Sequence, residues 1–202
     1  MTDTRNADLT FGATDYVMYL APVNTAAPTG FTDPTTDWTC LGWITTDGGT
    51  FKIDESTKDI TAAGSLEPIR TLMTSSTKTL QATFLEGLNP AVRALYDNVP
   101  VASLKPDTTS GVATYAFPDK PNDLRYAFIA DTIDGDKRMR FYMPNGKITD
   151  RGDEQPQTAD VMGVQMTLTF FKGASSSAAV TRTIDYGSVD VSGFFPAGGG
   201  GS

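Results

Sequence analysis

Val161-Met162-Gly163-Val164-Gln165-Met166-Thr167-Leu168-Thr169-Phe170-Phe171 alternates apolar and polar side chains along its length. Met162, Val164, Met166, Leu168 and Phe170 fall on one side; Gly163, Gln165, Thr167 and Thr169 fall on the other. A β-strand sends successive side chains to opposite faces, so a period of two marks a strand with one buried and one wetted face. Such strands belong to antiparallel sheets, which tolerate water on one side. The same period recurs in residues 15–21 (Tyr16, Met18, Leu20), 80–86 (Leu80, Ala82, Phe84), 125–131 (Tyr126, Phe128, Ala130) and 138–143 (Met139, Phe141, Met143).

Turn and cap residues organise these segments. Asp134-Gly135 supplies the positive φ angles of a tight turn, so the segments on either side of it are predicted to form one antiparallel hairpin. Asn145-Gly146 predicts a further turn beyond it. One helix is expected. Asn89 caps it, Pro90 takes its first position, and Val92, Leu95 and Tyr96 follow at helical spacing until about Asn98. Residues 22–37, 47–76 and 150–159 show no sustained periodicity and are expected to be long loops. The tail after Lys172 is rich in Ser, Ala and Gly, with a short strand-like patch at residues 179–186. The expected organisation is an N-terminal arm (1–14), one β domain (15–173) and a C-terminal arm with a Gly-rich tail (174–202).

Composition excludes much chemistry. The 202 residues suffice for one domain with a single core. The chain has no His and one Cys. A Ser-His-Asp triad, a Cys-His pair, a His metal site and an internal disulfide are therefore excluded. The formal charge is −8, the wrong sign for gripping phosphates or an anionic membrane surface. No apolar run is long enough to span a membrane as a helix. The first residues lack the layout of a secretory signal, so folding in a cytoplasm is expected. The 30 Thr favour strands and suit a wetted sheet face.

No motif outweighs its plain structural reading. Asp47-Gly48-Gly49-Thr50 lacks the spacing of a phosphate loop and reads as a turn. Asp131, Asp134 and Asp136 fail as a calcium loop, because Ile133 and Tyr142 occupy positions that require ligands. Arg151-Gly152-Asp153 is a tripeptide common by chance. Asp54/Glu55 and Asp153/Glu154 are the carboxylate pairs open to glycoside hydrolysis, but strand neighbours point to opposite faces. Cys40, between Trp38 and Trp43, reads as a small buried hydrophobe. The two Trp lack the basic groove of a single-strand binder and read as core or interface. No cofactor, metal or catalytic residue is expected.

Read in order, the segments resemble the major tail tube protein of long-tailed, non-contractile bacteriophages. The resemblance rests on Leu41-Gly42-Trp43-Ile44 followed by Asp47-Gly48-Gly49-Thr50-Phe51. It continues through Ile60-Thr61-Ala62-Ala63-Gly64-Ser65 and Pro68-Ile69-Arg70 to residues 78–86. The helix, the hairpin and the strand ending at Lys172 complete it, over residues 15–172. The resemblance implies a β-sandwich or partial barrel with one flanking helix, long loops and terminal arms. It implies six subunits per ring, each giving four strands to a 24-stranded barrel, and rings stacked into a tube that conducts the genome. The implied partners are further copies of the chain, tail-tip initiator, tape-measure and tail-terminator proteins, and double-stranded DNA passing without specific binding. The implied location is the virion tail, assembled in the bacterial host cytoplasm.

On this basis Gln81, Thr83, Gln165, Thr167 and Thr169 are expected to line the lumen. Arg125, Arg138 and Arg140 are expected to be salt-bridged and are candidates for contacts between subunits, as are Phe194 and Phe195. The loop 47–76, with Asp47, Lys52, Asp54, Glu55, Lys58 and Asp59, is the candidate for ring stacking. Two other readings stay open: another virion or secretion-tube protein, such as a head decoration protein or a contractile inner tube, and a carbohydrate-binding β-sandwich using Trp38, Trp43 or tyrosines.

Overall fold

The computed structural model describes residues 5–156, 158–159 and 161–194. Eight strands form one antiparallel sheet: β1 (Asp15–Pro22), β2 (Thr39–Cys40), β3 (Ile44–Ile60), β4 (Arg70–Phe84), β5 (Tyr126–Asp134), β6 (Lys137–Arg151), β7 (Val164–Phe171) and β8 (Thr181–Asp185). The order across the sheet is β2-β1-β5-β6-β7-β4-β3. β8 pairs with β6 beside its first half, and β7 pairs with its second half. Among the described residues, one α-helix, α1 (Pro90–Asp97), follows β4. Of the two forms the sequence left open, sandwich or partial barrel, one continuous curled sheet is what forms.

Curling brings the apolar faces together. Met18, Leu80, Phe84, Phe128, Met143, Met166 and Leu168 are buried in one cluster drawn from five strands. The ring of Phe51 on β3 meets Phe141 on β6 at 4.9 Å between centroids. Helix α1 adds Ala91, Val92 and Leu95 to this core. Asn89 caps it, its side-chain oxygen accepting the Ala91 N–H at 3.0 Å, and Asn98 ends it with φ of 56°. Each large apolar side chain removed from water contributes about 1.5–3 kcal/mol. The alternation in the sequence thus becomes a barrel-like core with the helix on its inner side.

The opposite face of β1, β5 and β6 is covered by the segment between β1 and β2. Trp38 packs there with Ala21, Ala127 and Ile129. Arg140 on β6 lies under this segment, 3% exposed. It forms a two-pronged ion pair with Asp131, at 2.7 and 2.6 Å. Its remaining reach goes to the carbonyls of Gly30 and Thr32, both at 3.0 Å. One guanidinium therefore ties the covering segment to two strands. A buried charge needs such saturation, because an unpaired one would be strongly destabilising.

Several expectations are corrected. Residues 47–76 are not a loop: β3 and β4 extend through them as a long hairpin. The polar, Thr-rich composition hid strands with water on both faces, which show no apolar alternation. Asn145-Gly146 is not a turn, since β6 runs straight through it. Gly146 is needed for close packing: a Cβ there would lie 2.8 Å from the Phe128 ring and 3.0 Å from Phe170. Cys40 is exposed on the short edge strand β2 rather than buried.

Both arms are fastened to the β5–β6 turn. The Asp134 carboxylate accepts the Gly12 N–H at 3.0 Å, and Lys137 donates to the carbonyls of Asp8 and Thr10. Asp136 accepts the Ser188 N–H at 2.9 Å. The Gly12 amide, aided by Lys137, holds Asp134 below the usual carboxylate range; the Ser188 amide and hydroxyl do the same for Asp136. The folded state thus favours the ionised forms. Their contribution is present above the ordinary carboxylate pKa of about 4 and is lost as pH falls through the lowered folded values.

Two outcomes are expected. On acidification to about pH 3, amides of residues 8–14 and 186–190 lose hydrogen-exchange protection before the sheet does, and Asp134→Asn with Asp136→Asn abolishes this pH dependence. Arg140→Met lowers stability in urea unfolding by about 3–5 kcal/mol and makes residues 22–38 the first site of limited proteolysis.

Candidate assembly surfaces

Among the described residues, the outer face of β4 and β7 is a wetted sheet face. Register places Thr79 opposite Thr169, Gln81 opposite Thr167 and Thr83 opposite Gln165, all pointing away from the core. The structure therefore brings the five lumen candidates, Gln81, Thr83, Gln165, Thr167 and Thr169, onto one patch. Gln81 donates from its amide to the Thr167 hydroxyl at 3.3 Å. The patch continues onto β6, where the Thr149 and Thr169 hydroxyls share a 2.8 Å hydrogen bond. It continues onto β3 through Thr50 and Lys52, which face Gln81 and Thr79.

This wall is close to neutral. Lys52 pairs with Asp54 at 2.9 Å, and Lys147 pairs with Asp123 at 2.8 Å. The overall acidity of the chain is thus not concentrated here. Hydroxyls and amides dominate, and the cations are already paired.

Two strand edges flank the wall. β3 is the last strand of the sheet and pairs only with β4. On the other side β5 ends its pairing opposite Gly146, so Lys147–Arg151 has β7 on one side and no strand on the other. The four strands β3, β4, β7 and the second half of β6 thus form a ribbon with an open edge on each side. The sequence did not reveal this edge on β6, because it arises only from where β5 stops.

Beyond the body, β3 and β4 continue as a two-stranded arm. β7 supports β4 only from Lys78 to Phe84. The arm exposes Ile53, Leu66, Ile69 and Met73. Of the ring-stacking candidates, Lys52, Asp54, Glu55, Lys58 and Asp59 lie along the exposed part of β3, and Asp47 lies near its start. Asp59 accepts a 2.6 Å hydrogen bond from the Thr71 hydroxyl, and Glu55 accepts one from Ser76 at 3.3 Å. A lone two-stranded hairpin is marginal in water.

The arginine candidates separate. Arg140 is held inside its own chain, as described above, and is not available to a neighbour. It is salt-bridged as expected, but within its own chain, which removes it as an intersubunit candidate: Asp131 opposite it on β5 satisfies the charge locally. Arg125 pairs with Asp123 at 3.0 Å and stacks on Phe171 at 4.7 Å. Arg138 is exposed, opposite Asp185 in the β6–β8 register. Phe194 is exposed at the end of a short 3-10 turn, and Phe195 lies outside the described residues.

The remaining motifs are structural. Arg151 donates to the Tyr96 and Leu95 carbonyls at the end of α1, so the Arg-Gly-Asp tripeptide is a helix clasp. Glu154 pairs with Arg93, and Asp54 with Lys52, so each candidate carboxylate pair has one member engaged. Trp38 is buried whereas Trp43 is 72% exposed. Among the described residues no group of side chains is arranged to hold a metal, and no helix is long and apolar enough to cross a membrane.

A family model described as phage tail tube protein matches residues 3–184. Among solved structures, the chain is similar to a subunit in the tail of an empty GTA particle, computed with helical refinement and C6 symmetry. The identity is 10% and the TM-score 0.41, over 86% of this chain and 99% of that one. No curated protein matches the chain.

The marginal arm generates a direct expectation. In the unassembled protein, backbone amides at residues 53–60 and 70–77 exchange with deuterium far faster than those at 80–84 and 164–170. Assembly slows the first group to the rate of the second.

Proposed function

The chain belongs to the phage tail tube protein family, structural components of the virion tail, and we propose that six copies close into a ring whose inner wall is the β3-β4-β7-β6 face. The observation that carries this reading is the four-stranded ribbon with an unpaired edge on each side. Exposed edges are a hazard in a monomer, and closing a barrel across subunits removes them. In this ring the free edge of β3 pairs with Lys147–Arg151 of the next copy. Six ribbons of four strands give a circumference of roughly 115 Å at ~4.8 Å per strand, and a diameter of roughly 37 Å before tilt. A DNA duplex fits such a channel.

The wall chemistry suits passage. Phosphate affinity grows with each cation that replaces counterions. A surface of Thr and Gln with its lysines already paired offers few such contacts, so DNA slides past. Arg138 and Phe194 lie outside this wall, Arg125 sits at its rim between Phe171 and Asp123, and all three are assigned to contacts between subunits. Stacked rings then form the tube, with tail-tip initiator, tape-measure and tail-terminator proteins starting, measuring and ending it. Assembly in the host cytoplasm precedes genome delivery.

The first test is electron microscopy of the purified protein over a concentration series, alone and with tail-tip proteins. Hollow tubes with Gln81, Thr83, Gln165, Thr167 and Thr169 facing the channel are expected; side chains pointing into the wall would overturn the assignment. The second is the double variant Gln81→Lys with Thr167→Lys. Tubes still form, but each added cation raises phosphate affinity, so infection by phage carrying the variant slows with salt-dependent DNA release.

A further inference from the structure

The stretch of β6 that ring closure uses is not bare in the free subunit. β5 stops pairing with β6 at Tyr126, opposite Gly146, and its register breaks between Tyr126 and Phe128. The two strands are antiparallel, so residues 121–125 are the ones that would extend β5 along Lys147–Arg151. They do not pair: among the described residues no backbone hydrogen bond joins them to that stretch. Yet they lie against it. The Asp123 carboxylate accepts from the Lys147 ammonium at 2.8 Å, on the wetted side where Lys147 stands opposite Thr169. The next residue, the half-buried Leu124, is on the other side. There it closes with Leu95, Lys147 and Ile148 around a cavity of about 10 Å³. Consecutive side chains thus straddle the edge as those of a strand would, without the ladder of a strand.

Side chains alone hold this segment in place. The Asn122 amide donates to the Asn98 carbonyl at the end of α1, at 2.9 Å. The Tyr115 hydroxyl donates to the buried Asp97 at 2.6 Å. Arg125 holds the Asp123 carboxylate at 3.0 Å while resting on Phe171. Exposed ion pairs are weak ties. The segment is fastened firmly enough to occupy the edge, and lightly enough to yield to a strand that offers a full set of backbone hydrogen bonds.

We propose that residues 121–125 are a strap that shields the β6 edge of the free subunit, and that β3 of an incoming copy displaces it as the ring closes. Covering an exposed edge with a loop is one way to keep sheets from pairing at the wrong moment. Neighbouring strands stand only ~4.8 Å apart, so the strap and the incoming β3 compete for one lane. The incoming strand carries Asp54 on the same face as Lys52, which stands opposite Thr79 on the wetted side. Asp54 therefore replaces Asp123 beside Lys147, and the cation stays paired at the channel wall. This inference rests on the ring reading and specifies what keeps a free subunit from closing early.

The experiment follows tube growth by light scattering, with tail-tip proteins present to start it. Asp123→Asn removes the tie to Lys147 at nearly constant volume and is expected to shorten the lag about two- to fivefold. Asp119→Asn makes the same charge change at an exposed site outside the strap and leaves the lag unchanged. A second variant ties the strap down. Asp123→Cys with Lys147→Cys, in a Cys40→Ser background, is joined by a bis-maleimide whose spacer contains a disulfide. The joined chain gives neither rings nor tubes in electron micrographs, and tubes return when a reductant cuts the spacer. Unchanged circular dichroism confirms folding throughout. A lag that Asp123→Asn leaves unchanged or lengthens overturns the proposal, as does one that Asp119→Asn shortens equally. So do tubes from the joined chain, or none after the spacer is cut. A wild-type protein that forms neither rings nor tubes with tail-tip proteins would instead count against the ring reading itself.

Discussion

Every backbone N–H and C=O that a sheet leaves unpaired must meet water or another strand. This requirement organises the molecule. The sheet curls far enough to bury Met18, Phe84, Phe128 and Met166 together, yet β1 and β3 approach without pairing. The result is a folded core with unfinished edges. Those edges lie on β3, on the second half of β6 and along β1, and in the proposed ring further copies meet them.

The two outer halves of the sheet are treated differently. Over β1, β5 and β6 the chain folds its own segment down, held by Trp38 and by the saturated Arg140. Over β4 and β7 it leaves hydroxyls and amides bare. An ion pair buried as deeply as Arg140–Asp131 contributes little net stability against an apolar alternative, but losing either partner is costly. Its effect is to fix where the covering segment lies, and so which half of the sheet remains open.

The arm follows the same logic in another form. Seventeen residues of β3 and fifteen of β4 exceed what β7 can support. A monomer would gain nothing from such a projection, and the exposed Leu66, Ile69 and Met73 would be a liability. In the tube proposed for this chain, the projection is the candidate for contact with the next ring.

The alternating strands, the Asp134-Gly135 turn and the Asn89-Pro90 helix start were legible in the residues because each is a local rule: period two, positive φ, a cap. The wet side of β4 and β7 was legible for the same reason, since Gln81, Thr167 and Thr169 alternate with core residues. The arm was not, because strands wetted on both faces carry no apolar signal. Gly146 looked like a turn because its real constraint, the rings of Phe128 and Phe170, comes from distant strands. Arg140 looked like an interface residue because a lone arginine on a strand gives no sign of the carbonyls that will cover it. The sequence by itself determined which segments become strands and which side of each is apolar, since both depend on neighbours in the chain. Only the tertiary structure decided which edges stay open, which wet face is covered and where the unclosed seam falls. Those depend on where one strand ends relative to another, a quantity set by long-range register and packing.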